Sequence, residues 1–371
     1  MRLTVGIVLA ALFLEACGGE PPEPAVQHVS LRLTDSSSGF GLRLLDRLLA
    51  EPQAGNVFIS PLSATLMLSM AASAAEGDAR AGILKTLGLD PAVDPGPEIR
   101  QTIQRLAQSD ANTQLELAQA VWVQKGLVLS PAYVAKLRND YRAELANLDF
   151  HASDAPDVVN RWVDDATHHR IAKLVDVFDP STVGYLVNAT YFHALWRIEF
   201  DSRRPAEFHT FAGDVRSVAM MKRDENVVVL RTPEYAAALL PYKGGRFSAI
   251  FLLPNARLAP RQFASFLSRE RWRQALGYLH SGVGPSLGGD CKQPGSAPAP
   301  DVSLTCDGSL VVPKFKLEYR KELTDSLTAL GMPLAELPAF CSGTSTTSSR
   351  RPTSRWMRRE PPLRRRPAAR C

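Results

Sequence analysis

The sequence predicts an α+β fold, and three stretches of the chain support this. Residues 185–196 (Y-L-V-N-A-T-Y-F-H-A-L-W) are rich in β-branched and aromatic side chains, which is typical of a central strand buried on both faces. Residues 62–75 are apolar on nearly every side, which indicates a helix that is buried all round. Residues 39–50 space their apolar side chains like an amphipathic helix, and Pro52 and Gly55 end it.

Composition places the chain among ordinary globular proteins. It has 371 residues, of which 45% are hydrophobic and 22% charged, enough for one large domain or two small ones. Residues 342–371 hold nine Arg and one Glu, a net charge of +8, against +5 for the whole chain, so the preceding residues carry −3. This mildly acidic body gives no electrostatic argument for a nucleic-acid partner.

The first residues predict export. Residues 1–16 are interpreted as a signal peptide, because Arg2 is followed by an apolar run that is too short to span a bilayer. Leu14-Glu15-Ala16-Cys17 resembles a bacterial lipoprotein processing box, which implies cleavage before Cys17 and lipidation of its sulfur, although Glu15 departs from that pattern. Plain secretion with Cys17 free or lost is the alternative.

Residues 17–37 then read as a lipoprotein-type tether, since residues 18–24 are G-G-E-P-P-E-P. The expected location is extracellular or in the cell envelope, with membrane attachment only through a lipid on Cys17.

Polar residues at two places predict a buried contact. Asn188 shares one face of its strand with Leu186, Thr190 and Phe192, and a buried Asn without partners costs about 1–3 kcal/mol. Ser60 is a plausible N-cap of the apolar helix, with Pro61 at the first helical position. Ser60 and Ser63 are therefore donors of the kind that a buried Asn needs.

Several motifs together resemble the serpin family. They are N-V-F-I-S-P-L-S from Asn56, I-L-K-T-L-G-L from Ile83, V-N-A-T-Y-F from Val187 with Leu195-Trp196, F-L-L-P-N from Phe251, and V-P-K-F-K-L-E from Val312. The resemblance covers residues 38–335. It implies a domain over residues 38–341 with a large central, mostly antiparallel sheet, two further sheets and about eight to nine helices.

The resemblance also implies a site. The positions matching Ser60, Ser63 and Asn188 lie where the central sheet of a serpin must part, and Trp196 matches a position near the top of the same opening. Such residues tune the ease of opening and perform no bond chemistry, so the expectation is no catalytic residue, no cofactor and a monomer.

Neither histidines nor cysteines suggest a metal centre. His168-His169-Arg170 is interpreted as a solvated helix end, because no acidic or cysteine partner has ligand spacing in the sequence, and no C-x-x-C pair occurs. Cys291 and Cys306 bracket part of a Gly-, Pro- and Ser-rich insertion and could form a disulfide in an oxidising compartment, which spacing alone leaves open.

The last residues depart from the family. After the turn at Leu330-Gly331-Met332 a serpin has a strand, a small-residue hinge, an exposed bait loop and two final strands. Residues 342–371 have almost no aliphatic side chains and no alternation, which predicts a disordered basic tail. Nucleic acid or acidic lipid would be the partner of a genuine basic arm.

A shifted reading frame is the preferred interpretation of this tail. Read from the last base of each codon, Trp356-Met357 forces an aspartate, and the flanking codons permit V-D-E-E-G-T-A-A-A-A-A-A-G, which resembles the serpin hinge.

The expected function is therefore that of a serpin-family serine endopeptidase inhibitor that acts as a suicide substrate, with a serine protease, or sometimes a cysteine protease, as partner. The chain as written is expected to be inactive, because hinge and bait loop are absent, and it is not an enzyme. The alternative is a non-inhibitory serpin-like surface binding protein with a basic tail. A hydrolase using a Ser and a His is disfavoured, because no G-x-S-x-G motif occurs.

Overall fold

The structure, a computed structural model, describes residues 31–51, 56–107, 112–202, 204–210, 213–224, 227–255, 258–281, 301–306, 308–315, 319, 321 and 323–333. Its helices are α1 Leu31–Leu49, α2 Pro61–Ala74, α3 Gly77–Leu87, α4 Gly96–Leu106, α5 Pro131–Tyr141, α6 Ala155–Ala166, α7 Pro260–Phe266, α8 Arg269–Ser281 and α9 Thr324–Ala329. Its strands are β1 Thr113–Gln124, β2 Glu144–Leu148, β3 Gly184–Ala194, β4 Asp201–Ser202, β5 Ala206–His209, β6 Val215–Val218, β7 Met220–Arg223, β8 Val228–Arg231, β9 Tyr235–Pro241, β10 Ser248–Pro254, β11 Ser303–Thr305 and β12 Leu310–Pro313. The predicted α+β class is confirmed.

Four groups of strands make up the sheets of this described part. The first has the order β2-β1-β3, with β1 parallel to β2 and antiparallel to β3, so that Gln119 lies opposite Asn188. The second has the order β10-β9-β8-β11 and is antiparallel throughout. The order β12-β7-β4 forms a third, and β5 and β6 form a separate hairpin.

Helix α2 is the buried centre of the largest hydrophobic cluster. Ser60 caps it in an extended conformation and accepts a hydrogen bond from the Ser63 amide, while Pro61 occupies the first turn, as predicted. Thr65, Leu66 and Met70 have no exposed surface. A helix enclosed in this way leaves no solvated face for charged residues, which explains why its sequence carries none.

The two faces of β3 pack against different helices. Leu186 packs in the cluster around α2, and Val187 packs in a second cluster with Val159 and Val163 of α6. The predicted coverage of both faces is therefore confirmed. The predicted central position is not seen, because β3 is the last strand of its sheet among the described residues.

Asn160 fastens the chain beyond α6 to that helix. Its Nδ2 donates to the Val175 carbonyl at 2.8 Å, and its Oδ1 accepts from the Leu174 and Val175 amides, both at 2.8 Å. Asn160 is buried, so its amide replaces the water that these backbone groups would otherwise bind.

Helix α1 differs from the prediction at its start. It begins at Leu31 rather than at residue 39, so residues 31–37, which were assigned to the tether, are helical. Leu33 is fully buried and its amide donates to Glu98 Oε1 at 2.7 Å. Ser36 Oγ donates to the Gly88 carbonyl at 2.8 Å. The hydroxyls of Ser36, Ser37 and Ser38 are all hydrogen-bonded within the fold.

Within the described part of the chain, no helix combines the length and apolar character that crossing a bilayer requires. The predicted signal peptide, Cys17 and residues 342–371 lie outside the described residues, so those predictions stay predictions.

Candidate functional site

A chain of hydroxyl groups joins α2 to β3. Ser60 Oγ donates to Ser63 Oγ at 2.7 Å, Ser63 Oγ lies 2.7 Å from Thr190 Oγ1, and Thr190 Oγ1 donates to Asn188 Oδ1 at 3.2 Å. Because an amide oxygen only accepts, all three hydroxyl protons point toward Asn188. The structure therefore brings Ser60, Ser63 and Asn188 together. Thr190 was missing from the predicted cluster, although it lies two residues beyond Asn188 on the same strand face.

At the end of this row of hydroxyl groups, atoms of two buried amides have no hydrogen-bond partner among the described residues. Among the described residues, Asn188 Nδ2 has no hydrogen-bond partner, and neither do Nε2 and Oε1 of Gln119, its register partner on β1. Gln119 is 1% exposed, so its amide atoms lie away from bulk solvent. Each buried unpaired group costs about 1–3 kcal/mol. Sequence reasoning missed Gln119, but a lone amide within L-A-Q-A-V was a usable signal.

Such a site can hold or release a packed layer. The hydroxyl chain stabilises the contact between α2 and β3, and the unpaired amides weaken the same layer. Within the described part of the chain, the hydrogen bonds that link Ser60, Ser63, Thr190 and Asn188 involve no ionisable side chain.

Trp196 belongs to a different cluster. Its ring stacks on Tyr242 with centroids 4.3 Å apart and an interplanar angle of 17°, and it meets Phe200 edge-on at 5.3 Å. An isolated bridge also pairs Trp196 with Tyr242. Burial raises the pKa of Tyr242, which keeps its hydroxyl neutral. Trp196 therefore anchors the chain after β3 onto the end of β9, rather than joining the serine and amide groups.

The turn after α6 brings acidic groups to the histidines. His168 and His169 have φ of 49° and 59°, which turns the chain back so that His169 Nδ1 lies 2.7 Å from Asp164 Oδ2. Among the described residues, ligand atoms of Asp164, Asp165 and His169 lie within 4.8 Å of one another. The statement that the histidines have no acidic partner at ligand spacing was therefore wrong. A linear pattern does not show this reversal of the chain.

The hydrogen bond to Asp164, together with its charge, raises the pKa of His169. A raised folded-state pKa favours the folded state fully below the unfolded value, and this contribution disappears as pH rises through the folded value. We therefore expect His169→Asn to lower stability more at pH 5.5 than at pH 8.5, as measured by urea unfolding. Equal losses at both pH values would contradict the expectation, and Asp164→Asn should mimic it.

Cys306 is buried and disulfide-bonded. The other four cysteines, including Cys291, lie outside the described residues, so the pairing with Cys291 stays a prediction.

Known proteins resemble this chain in sequence and in fold. A family model described as "Serpin (serine protease inhibitor)" matches residues 35–285. Iripin-3 of Ixodes ricinus is 34% identical over 316 residues, which are 81% of this chain and 73% of that protein. Leukocyte elastase inhibitor A of Mus musculus is 31% identical over 60% of this chain and 61% of its own length.

Solved structures agree on the fold. The thermophilic serpin Tengpin in its latent state has a TM-score of 0.69 at 22% identity, covering 83% of this chain and 78% of its own. Cleaved kallistatin complexed with heparin has a TM-score of 0.71 at 21% identity, covering 82% and 86%. With the extent of the family match and the identity to Iripin-3, these findings show that the chain belongs to the serpin family.

Proposed function

We propose that this gene encodes a serine endopeptidase inhibitor that acts as a suicide substrate, and that the polypeptide as written is inactive. A target protease would attack an exposed bait loop and form an acyl-enzyme. The cleaved loop would then insert as a new strand beside β3 and carry the protease with it. The chain itself needs no catalytic residue for this reaction.

One observation carries the proposal. The hydroxyls of Ser63 and Thr190 join α2 to β3, and amide atoms of Gln119 and Asn188 in the same layer have no partners among the described residues. A sheet that must part and admit a strand is helped by buried polar groups without partners, because their cost destabilises the closed layer.

The proposed inactivity of the chain as written follows from the composition of residues 342–371. Insertion needs a hinge of small residues that can enter a sheet, whereas residues 342–371 carry nine Arg and four Pro. Proline cannot donate to a ladder of backbone hydrogen bonds, and nine buried arginines would be very costly. The shifted frame forces an aspartate and permits V-D-E-E-G-T-A-A-A in their place.

The proposed setting follows from the first residues. Export, with a lipid on Cys17 as the only membrane attachment, would present a monomeric inhibitor to serine proteases, or sometimes cysteine proteases, outside the cell.

The experiment compares the written chain with a frame-restored chain, in which a one-base slip near codon 340 recovers the hinge. Each is mixed with trypsin, chymotrypsin, elastase and subtilisin, and adducts are sought by denaturing electrophoresis. We expect an SDS-resistant adduct from the restored chain and none from the written chain.

An adduct formed by the written chain would refute its inactivity. A restored chain that folds but is neither cleaved nor trapped would refute the inhibitory function. It would favour the alternative of a non-inhibitory surface binding protein with a basic arm.

A further inference from the structure

A small cavity lies where four helices meet. Ser69 and Ser73 of α2, Arg80 of α3 and Lys136 of α5 lie in its wall, and so does Pro95, the N-cap of α4. Its volume is about 50 Å³. A cavity needs roughly 10–15 Å³ to hold one water molecule, so this one has room for a few waters or for one small polyatomic ion.

One hydroxyl group in this wall lacks a bonding partner. Ser69 has no exposed surface, and its Oγ makes no hydrogen bond to any of the described residues. Ser73, one turn further along α2, is bonded, because its Oγ donates to the Ser69 carbonyl at 2.9 Å and lies 3.0 Å from the Tyr141 hydroxyl oxygen. Folded proteins rarely leave a buried hydroxyl without a partner. The unpaired Oγ of Ser69 therefore indicates that the cavity is occupied in solution.

The wall of the cavity carries more positive than negative charge. Within the described part of the chain, the Arg80 guanidinium donates to the carbonyl oxygens of Pro91 and Val93, at 2.6 and 3.5 Å, and not to a carboxylate. Lys136 Nζ pairs with Asp94 Oδ2, and the charge of Arg80 also acts on Asp94. Two cations therefore share one carboxylate.

Neighbouring groups preserve this excess of positive charge. Asp140, whose charge like that of Asp94 acts on Tyr141, is paired with Arg100, with 3.3 Å between Oδ1 and Nη1. The N-cap of α4 places the positive end of a helix dipole at the same wall. Guanidinium, ammonium and hydroxyl donors beside a helix N-terminus are the groups that bind oxyanions in proteins.

We propose that this cavity binds one free tetrahedral oxyanion, phosphate or sulfate. Arg80 and Lys136 balance its charge, and Ser69 donates its hydroxyl proton to one of its oxygens. The size of the cavity favours a free ion over the same group on a larger molecule. Because the donors come from α2, α3 and α5, the ion binds only the folded chain and stabilises it.

The test uses the full chain and measures the binding of inorganic phosphate by isothermal titration calorimetry, with sodium chloride holding the ionic strength constant. We expect one site, with an affinity about 10-fold lower in Arg80→Gln and about 3-fold lower in Ser69→Ala. Asp94→Asn should raise the affinity, because it removes a negative charge beside the site. It also keeps the Oδ1 that accepts from the Gly96 amide at 3.0 Å.

Arg138→Gln is the matched control. Arg138 follows Lys136 by two residues on α5 and is exposed, and it does not line the cavity. This substitution removes one positive charge, as Arg80→Gln does, and should leave the affinity unchanged. If Arg80→Gln fails to fold, Ser69→Ala and Asp94→Asn still test the site, because their effects on affinity have opposite signs.

Thermal unfolding gives a second measurement. Phosphate should raise the melting temperature of the unsubstituted chain more than that of Arg80→Gln, whereas the general stabilisation by phosphate salts acts on both proteins alike. Equal shifts, or no saturable uptake in the calorimeter, would show that the cavity holds only water and would overturn the proposal. An equal loss of affinity in Arg138→Gln would overturn it too.

A comparison of ligands separates the free ion from the same group on a larger molecule. Sulfate should bind more tightly than a sulfated disaccharide, and equal affinities would overturn the assignment to a free ion. No protease enters these experiments, so their outcome does not depend on whether the protein inhibits one.

Discussion

Replacing Asn160 by leucine is expected to destabilise the fold by about 3–5 kcal/mol, measured as the free energy of unfolding in urea. The leucine has nearly the same volume, so the loss comes from hydrogen bonds rather than from a cavity. Three backbone groups of Leu174 and Val175 would lose the amide that now bonds them. The segment leading from α6 to β3 would then lose these three attachments to α6.

Asn147→Leu on β2 is the control for this substitution, because Asn147 is exposed and the change should stay within about 0.5 kcal/mol. If Asn160→Leu fails to fold, Asn160→Asp keeps the acceptor for both amides and should be less destabilised. A loss below about 1 kcal/mol for Asn160→Leu would show that water replaces the amide.

Gln119→Leu is expected to act in the opposite direction and to stabilise the protein by about 1–3 kcal/mol. The native amide buries a donor and an acceptor that have no partners among the described residues, whereas leucine buries neither. The stabilised layer between β3 and α2 should open less readily, so a frame-restored chain with this substitution should trap protease more slowly.

Gln114→Leu tests whether any apolar substitution in β1 would stabilise the protein. Gln114 lies on the same strand but is bonded to Glu116, so its replacement should be neutral or destabilising. The free energies of unfolding of Gln119→Leu and Gln114→Leu, measured in urea, distinguish these two explanations. Equal stabilisation would mean that hydrophobic burial alone explains the gain, and destabilisation by Gln119→Leu would show that the amide finds partners in solution.

The elements that sequence reasoning predicted well are those with a strong local pattern. The apolar helix, its Ser60 cap and the alternation around Asn188 follow from side-chain types within a few residues. The resemblance to serpins extended the prediction from single elements to the serpin fold, and the similarity to solved serpin structures confirms that fold.

The features that sequence reasoning missed depend on long-range geometry. The start of α1 depends on Glu98 and Gly88, which accept hydrogen bonds from its first turns. The unpaired state of Gln119 requires the register of β1 against β3, and the histidine contacts require a turn that reverses the chain. None of these contacts is encoded in local spacing, so a single sequence cannot predict them.

The hydroxyl chain from Ser60 to Asn188 runs in one direction only, because it ends on an oxygen that cannot donate. Its three O–H dipoles are therefore aligned, and each polarises the next. Losing any one of them weakens the others, so the contact between α2 and β3 should break in a single step rather than stretch gradually. The contact between α2 and β3 should therefore populate two states, fully bonded or fully broken, and few states in between.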